Sequence, residues 1–226
     1  MKVDQICGDL FRIQLLQPDL VNAYLAEDVL IDSGGRLARR KLLAFLDGRK
    51  LSGHALTHGH FDHQGCSHAV CERFEIPLFC GEGDRAAVES GDLVSLMPHP
   101  GALITWLTRS LAGPAHPVSR TLVEGDEIGG LRVIETPGHT PGHLAFWRED
   151  GRVLIVGDVL FHRNPVTFRK GLAEPFQSAT YNRKSNLDSA RKLAALEPRV
   201  VCFGHGSPLT DGEEFCRFVK RLPHRP

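Results

Sequence analysis

The chain has 226 residues, of which 42% are hydrophobic and 24% charged, enough apolar content for a substantial core. Lysine plus arginine and aspartate plus glutamate each number 27, so the formal net charge is zero. That balance excludes a general electrostatic case for nucleic acid or an anionic membrane as partner.

The opening "MKVDQICGDLFRIQLLQPDL" carries Lys2, Asp4, Asp9 and Arg12, which interrupt any apolar core of signal-peptide length. No later run reaches the roughly 18 residues of a membrane span, so a cytoplasmic protein is expected. The six cysteines form no C-x-x-C pair and are expected to stay reduced. Strands are predicted at "LFRIQLL" (10–16), "NAYLAE" (22–27) and "DVLIDSG" (28–34). "RLARRKLLAFLDG" (36–48) has helical spacing with a basic outer face and stops at Gly48. A short strand, "HALTH" (54–58), leads into "THGHFDHQG", and a helix is predicted from about Gly65 to Phe74. "IPLFCG" (76–81) reads as a buried strand, and the apolar "ALITWLTRSLAG" within 98–119 as a helix carried on proline-bounded loops.

In the second half, "RTLVEGDEI" (120–128) and "LRVIETPGH" (131–139) read as a hairpin across Gly129-Gly130. "LAFWRED" and "GRVLIVGD" (144–158) read as another, turning at Asp150-Gly151. A helix capped by Ser185 or Asn186 is predicted over 185–198, then a buried strand at 199–206 and a closing helix near 211–221. No repeat, low-complexity tract or linker divides the chain, so one domain over 1–226 is expected. Strands precede helices in each half, which favours two packed sheets with helices outside over a doubly wound parallel sheet.

Four apolar segments end in a metal-capable residue: His58, His139, Asp158 and His205. Glycines beside each allow the tight bends by which strand ends converge. With His60, Asp62 and His63 the set is five histidines and two aspartates. In extended chain His58 and His60 project to one side, while Asp62 and His63 point elsewhere. His58, His60 and His139 suit one ion, and Asp62, His63 and His205 a second, with Asp158 shared. Donors of this kind without thiolate suit two divalent ions, zinc first, with iron or manganese as alternatives. Isolated histidines (His54, His68, His99, His116 and His224) are expected to be satisfied or solvated, and His143 to pack beside the site.

These motifs, "THGHFDHQG", "TPGHTPGH", "VGD" and "FGHG", with "NAYLAEDVLIDSG" upstream, closely resemble the metallo-β-lactamase superfamily over essentially the whole chain. The resemblance implies an α+β, four-layer αβ/βα sandwich with metals in a cleft between two mixed sheets. It also implies that Asp32 holds the metal loop from behind. The expected reaction is hydrolysis of a small ester, thioester or lactone by a hydroxide bridging the two ions, with Asp62 orienting it and moving a proton. The alternative is an iron-dependent persulfide dioxygenase, which shares much of this motif. β-Lactamase, phosphodiesterase or nuclease action and a non-catalytic metal-binding module are less favoured. The substrate is expected to be a small molecule walled by residues 98–119 and 160–184. Phe161, His162 and Tyr181 are candidate pocket residues there, and Arg163, Arg169 and Lys170 candidate grips for a carboxylate.

Overall fold

Along the central strands, successive side chains enter different cores. Leu25 and Leu30 pack to one side while Tyr24, Ala26, Val29 and Ile31 pack to the other, and all are buried. Burial on both faces is why these segments read as unbroken apolar runs instead of alternating ones.

The computed structural model describes residues 1–98 and 100–223; His99 and His224, expected to be solvated, lie outside them. In chain order the elements are β1 (Lys2–Cys7), β2 (Leu10–Leu16), β3 (Val21–Ala26), β4 (Val29–Ile31), α1 (Arg39–Leu46), β5 (Gly53–Ala55), α2 (Phe61–Gln64), α3 (Ser67–Phe74), β6 (Leu78–Gly81), α4 (Glu82–Ser90), α5 (Ala102–Leu111) and β7 (Arg120–Leu122). There follow β8 (Glu127–Ile128), β9 (Leu131–Glu135), β10 (Leu144–Arg148), β11 (Val153–Ile155), β12 (Phe161–Arg163), β13 (Lys170–Ala173), α6 (Arg183–Ala194), β14 (Val200–Cys202) and α7 (Gly212–Lys220).

Strands β1 to β7 form one mixed sheet in sequence order, antiparallel as far as β4 and parallel from β4 to β7. The second sheet runs β14-β11-β10-β9-β8, with β14 parallel to β11. Three buried clusters make four layers. Leu42 and Leu46 of α1, Val70 of α3 and Val88 of α4 cover the outer face of the first sheet. Leu187 and Leu193 of α6 and Phe215 and Val219 of α7 cover the outer face of the second. Between the sheets, Tyr24, Ile31 and Leu122 meet Val133, Phe146, Ile155 and Cys202. The α+β sandwich expected from the sequence is the observed architecture. Among the described residues, no helix is long and apolar enough to cross a membrane.

Several local expectations are corrected. The strand predicted at 120–128 is two strands in different sheets: β7 pairs with β6, and β8 pairs with β9. Asp126 breaks it, donating its N–H to Val123 O while its carboxylate accepts from Val123 N–H. The α6 cap is Asn182, whose side chain accepts from Ser185 N–H, so the helix begins earlier than predicted. Strand β1 has no fully buried residue and carries Lys2 and Asp4, so no apolar signal marked it. Helix α4 was not predicted either, although Glu82 and Asp84 in its first turn and Gly91 at its end are ordinary helix punctuation.

His54 on β5 is fully buried, with Nδ1 donating to Leu30 O and Nε2 accepting from the Ser67 hydroxyl. Burial pushes its pKa from 6.5 down to about 4. Above pH 6.5 neither the folded nor the unfolded chain protonates this ring. Between 6.5 and 4 only the unfolded chain does, so stability is lost as pH falls through that window, by up to about 3 kcal/mol from this group. Denaturant titrations at pH 7 and pH 4.5 should show a larger loss for the wild type than for His54→Gln; equal losses would remove His54 as the cause.

Candidate metal centre

All seven predicted metal-ligand residues converge at the C-terminal ends of strands. His58 lies three residues beyond β5, Asp158 three beyond β11, His205 three beyond β14 and His139 four beyond β9. Asp62 and His63 sit on α2, a single helical turn, which gives them a different direction from His58 and His60, as expected from the sequence. That turn carries the His63 ring back beside His58, with centroids 4.0 Å apart, and the two histidines share Asp158 as a neighbouring donor. Six of the seven are buried, and Asp62 keeps a quarter of its side chain open.

Donor atoms of His58, His60 and His139 lie within 4.8 Å of one another, as do those of Asp62, His63 and His205. Nδ1 of His60 is 3.0 Å from Nε2 of His139. Asp158 joins the groups: its Oδ2 lies 3.0 Å from His205 Nε2, 3.5 Å from His63 Nε2, 3.7 Å from His139 Nε2 and 3.9 Å from His58 Nε2.

The outward ring nitrogens of four of the five histidines are tied to the protein, while His60 Nε2 is buried without a partner. His58 Nδ1 meets Thr57 Oγ1 at 3.0 Å, His63 Nδ1 meets Asp32 Oδ2 at 2.8 Å, His139 Nδ1 meets Thr180 Oγ1 at 3.3 Å, and His205 Nδ1 donates to Leu20 O. Asp32 also accepts from Thr57 N–H and Thr57 Oγ1–H, each at 2.8 Å, so it fixes both ends of the metal-capable loop. Its backbone is left-handed, φ +59°, a conformation aspartate tolerates better than most residues. His143 stacks on His58, and both its nitrogens are used: Nε2 accepts from Asp158 N–H and Nδ1 pairs with Thr136 Oγ1. Gly204 is required by closeness, since a Cβ there would stand 2.1 Å from Asp158 Oδ1 and 2.7 Å from His63 Cε1.

Electrostatics sort the donors. Burial and the neighbouring imidazoles hold His58 and His139 well below the usual histidine range, and burial brings His60 to about 4. These rings are neutral at pH 7, with lone pairs available. Burial opposes charge on His63 and His205 too, but Asp158, with Asp62 and for His63 Asp32, outweighs it and raises both. Burial likewise opposes the Asp158 carboxylate, and His205 and His63 outweigh it, leaving its pKa well below the carboxylate range. The cluster therefore draws positive charge toward its centre.

The inward Nε2 atoms of His58 and His63 and Oδ1 of Asp158 are buried without any hydrogen-bond partner. Leaving such groups unmatched costs about 1–3 kcal/mol each, more for charged ones. Nitrogen and carboxylate donors so arranged fit divalent cations.

A family model described as the metallo-beta-lactamase superfamily matches residues 16–205. The chain belongs to the metallo-β-lactamase superfamily. It is 29% identical over 216 residues to the probable metallo-hydrolase YflN of Bacillus subtilis, covering 87% of this chain and 81% of that protein. A hydroxyacylglutathione hydrolase of Rhodospirillum rubrum is 39% identical, but over only 42% of this chain and 36% of its own length. Among solved structures, TTHA1623 in a di-iron-bound form superposes with TM-score 0.68 at 31% identity, covering 87% and 92% of the two chains. BLEG-1 B3 metallo-beta-lactamase does so with TM-score 0.68 at 30% identity, covering 91% and 95%. Membership in the superfamily carries divalent metal binding and metallo-hydrolase character to this chain at that general level.

The sequence-predicted pocket residues divide. Phe161 is buried and packs edge-on against His205, with ring centroids 4.8 Å apart. Tyr181 donates its backbone N–H to His139 O while its side chain is about half exposed. His162 turns the other way, over Phe203, and pairs with Ser207 O. Arg163 is buried, donating to Phe168 O and lying 3.9 Å from Asp19, so its charge is spent inside the fold. Arg169 and Lys170 are exposed on the β12–β13 hairpin.

Two features had no sequence prediction. Buried Asp84 accepts from Gly59 N–H, Thr140 Oγ1–H and Gly142 N–H, joining the loops of His58–His60 and His139. A groove of about 230 Å³ opens beside Asp62, walled by Leu15, Val21, Leu37, Phe61 and Leu111 with Arg36 and Lys41 at its edge. Only Leu111 comes from the two segments expected to wall the substrate.

Replacing Asp32 with Ala should loosen His63 and Thr57 together. Affinity for zinc at the cluster is expected to fall about 10- to 100-fold, as for other groups that orient a ligand from behind. Competition with a chromophoric chelator measures this, and unchanged affinity would show that Asp32 has no hold on the donors.

Proposed function

We propose that the two triads each hold one divalent cation, with Asp158 shared between them. The reaction proposed is hydrolysis of a small ester, thioester or lactone bearing an apolar acyl part. The observation that carries this is the position of Asp158 Oδ2, within 3.9 Å of inward nitrogens from both triads. When bound, such ions lower the pKa of water to roughly 7 and polarise a carbonyl oxygen.

The chain's own residues supply the rest. His58, His60 and His139 keep neutral lone pairs at the first position, and Asp62, His63 and His205 supply the second. Asp62 reaches the cleft with Oδ2 turned toward His205 and His63, 3.4 and 4.0 Å away. A proton taken up during attack would sit on its Oδ1 and pass from there to the leaving group. Leu15, Val21, Phe61 and Leu111 would shed water around the acyl chain, and Arg36 and Lys41 stand where a substrate carboxylate could reach them. The groove's size supports a small-molecule partner over a polymer. Zinc suits the donors, and the di-iron form of TTHA1623 keeps iron in view for this site.

β-Lactam hydrolysis is the second reading, favoured by the 30% identity to BLEG-1 B3 metallo-beta-lactamase over nearly the whole chain. Elemental analysis beside a panel of thioester, ester, lactone, β-lactam and phosphodiester substrates separates the two. Two metal equivalents are expected at the Asp158 cluster, with turnover of an acyl substrate reduced at least about a hundredfold by Asp158→Ala. Turnover confined to β-lactams would favour the second reading. One iron per chain with persulfide-dependent oxygen uptake would replace hydrolysis by dioxygenation, and turnover indifferent to Asp158→Ala would refute the shared-carboxylate mechanism.

A further inference from the structure

Away from the metal cleft, His68 and Glu72 lie one turn apart on the surface of α3, and His116 lies in the segment joining α5 to β7. One donor atom from each falls within 4.8 Å of the others. These two histidines, read from sequence as ordinary lone residues, are in fact neighbours. We propose that His68, Glu72 and His116 form a separate site for a zinc-like divalent cation, completed by water.

The geometry carries the proposal. Nδ1 of His68 and Nδ1 of His116 stand 3.3 Å apart, and Glu72 Oε1 lies 3.8 Å from the same His116 nitrogen. Zinc–nitrogen bonds of about 2.0–2.1 Å at tetrahedral angles put two ligand nitrogens about 3.3–3.4 Å apart. The observed spacing is that edge. The rings meet at 72° with centroids 5.3 Å apart, so they converge through nitrogen and do not stack face to face.

Both donors rest on fixed backbone. His116 N–H donates to Val88 O, and Val118 N–H to Glu89 Oε1, which tie its segment to α4. At the start of α3, Cys66 N–H donates to Ser33 Oγ. Partial burial and the neighbouring His68 hold the His116 pKa below the usual value, which leaves its lone pair available at neutral pH. Glu72 is mostly exposed and can swing, which leaves the cluster open to a water ligand. A cation here would fasten α3 to the segment immediately after α5. Leu111, the last residue of α5, walls the groove beside Asp62, so occupancy would stiffen that wall from behind. This site is independent of what the catalytic cleft hydrolyses.

The test is zinc titration of the full chain by calorimetry and elemental analysis after gel filtration, with thermal melting alongside. Wild-type protein is expected to take up one zinc equivalent more than His68→Gln/His116→Gln and to melt higher when it does. Turnover at saturating zinc should differ by less than about twofold between them. Should the double variant fold poorly, Glu72→Gln, at an exposed position, should still weaken the last equivalent about tenfold. Equal zinc content in wild type and double variant, as a simple hydrogen-bonded histidine pair would give, overturns the proposal. So does an affinity for the last equivalent that is untouched by Glu72→Gln.

Discussion

The rest of the site depends on one buried carboxylate. Asp158 sits 2% exposed, with one oxygen facing the inward nitrogens of four imidazoles and the other without a hydrogen-bond partner. Taking a charge and several ring nitrogens out of water is expensive unless a compensating charge enters with them. The proposed cations are that compensation. The surroundings are arranged around this demand: the outward nitrogens of His58, His63, His139 and His205 are anchored so the inward ones cannot turn away, and Gly204 is bare because any side chain there would strike the carboxylate.

The sandwich makes this cluster affordable. Two sheets, each covered outside by helices, present the C-terminal ends of β5, β9, β11 and β14 to one cleft. Strand ends placed by a packed core move little, so donors far apart in sequence can meet within ångströms. Asn22 on β3 fastens the last donor loop across the sheets, with Nδ2 donating to Phe203 O and Gly206 O, while Tyr24 OH also donates to Phe203 O. The inner core and the metal cleft are thus held by the same strands.

Legibility followed how local each signal was. The His58–His63 cluster and the donors after β9, β11 and β14 stand out because ligand chemistry restricts residue type, and glycine marks the bends. The hairpin turns at Gly129-Gly130 and Asp150-Gly151 were legible because such turns need particular residues. The break after Leu122 was missed although Gly125-Asp126 is a local turn signal, with Gly125 at φ +89° and Asp126 closing the turn onto Val123. What no local pattern displays is that its two halves pair in different sheets. Arg163 looked like a free cation for the same reason: its partners, Asp19 and the Phe168 carbonyl, are brought to it by folding.

By itself the sequence determined the donor types, their order along the chain and the apolar runs that had to be buried on both faces. These are properties of single residues and short spacings, and they sufficed for the fold class. The grouping of the donors around Asp158 was also an expectation from sequence; tertiary structure alone decided the distances between them, that an apolar groove opens beside Asp62, and that His68 and His116 face each other. Such facts depend on distances between residues remote in sequence, and those distances are set by the packing of whole sheets and helices.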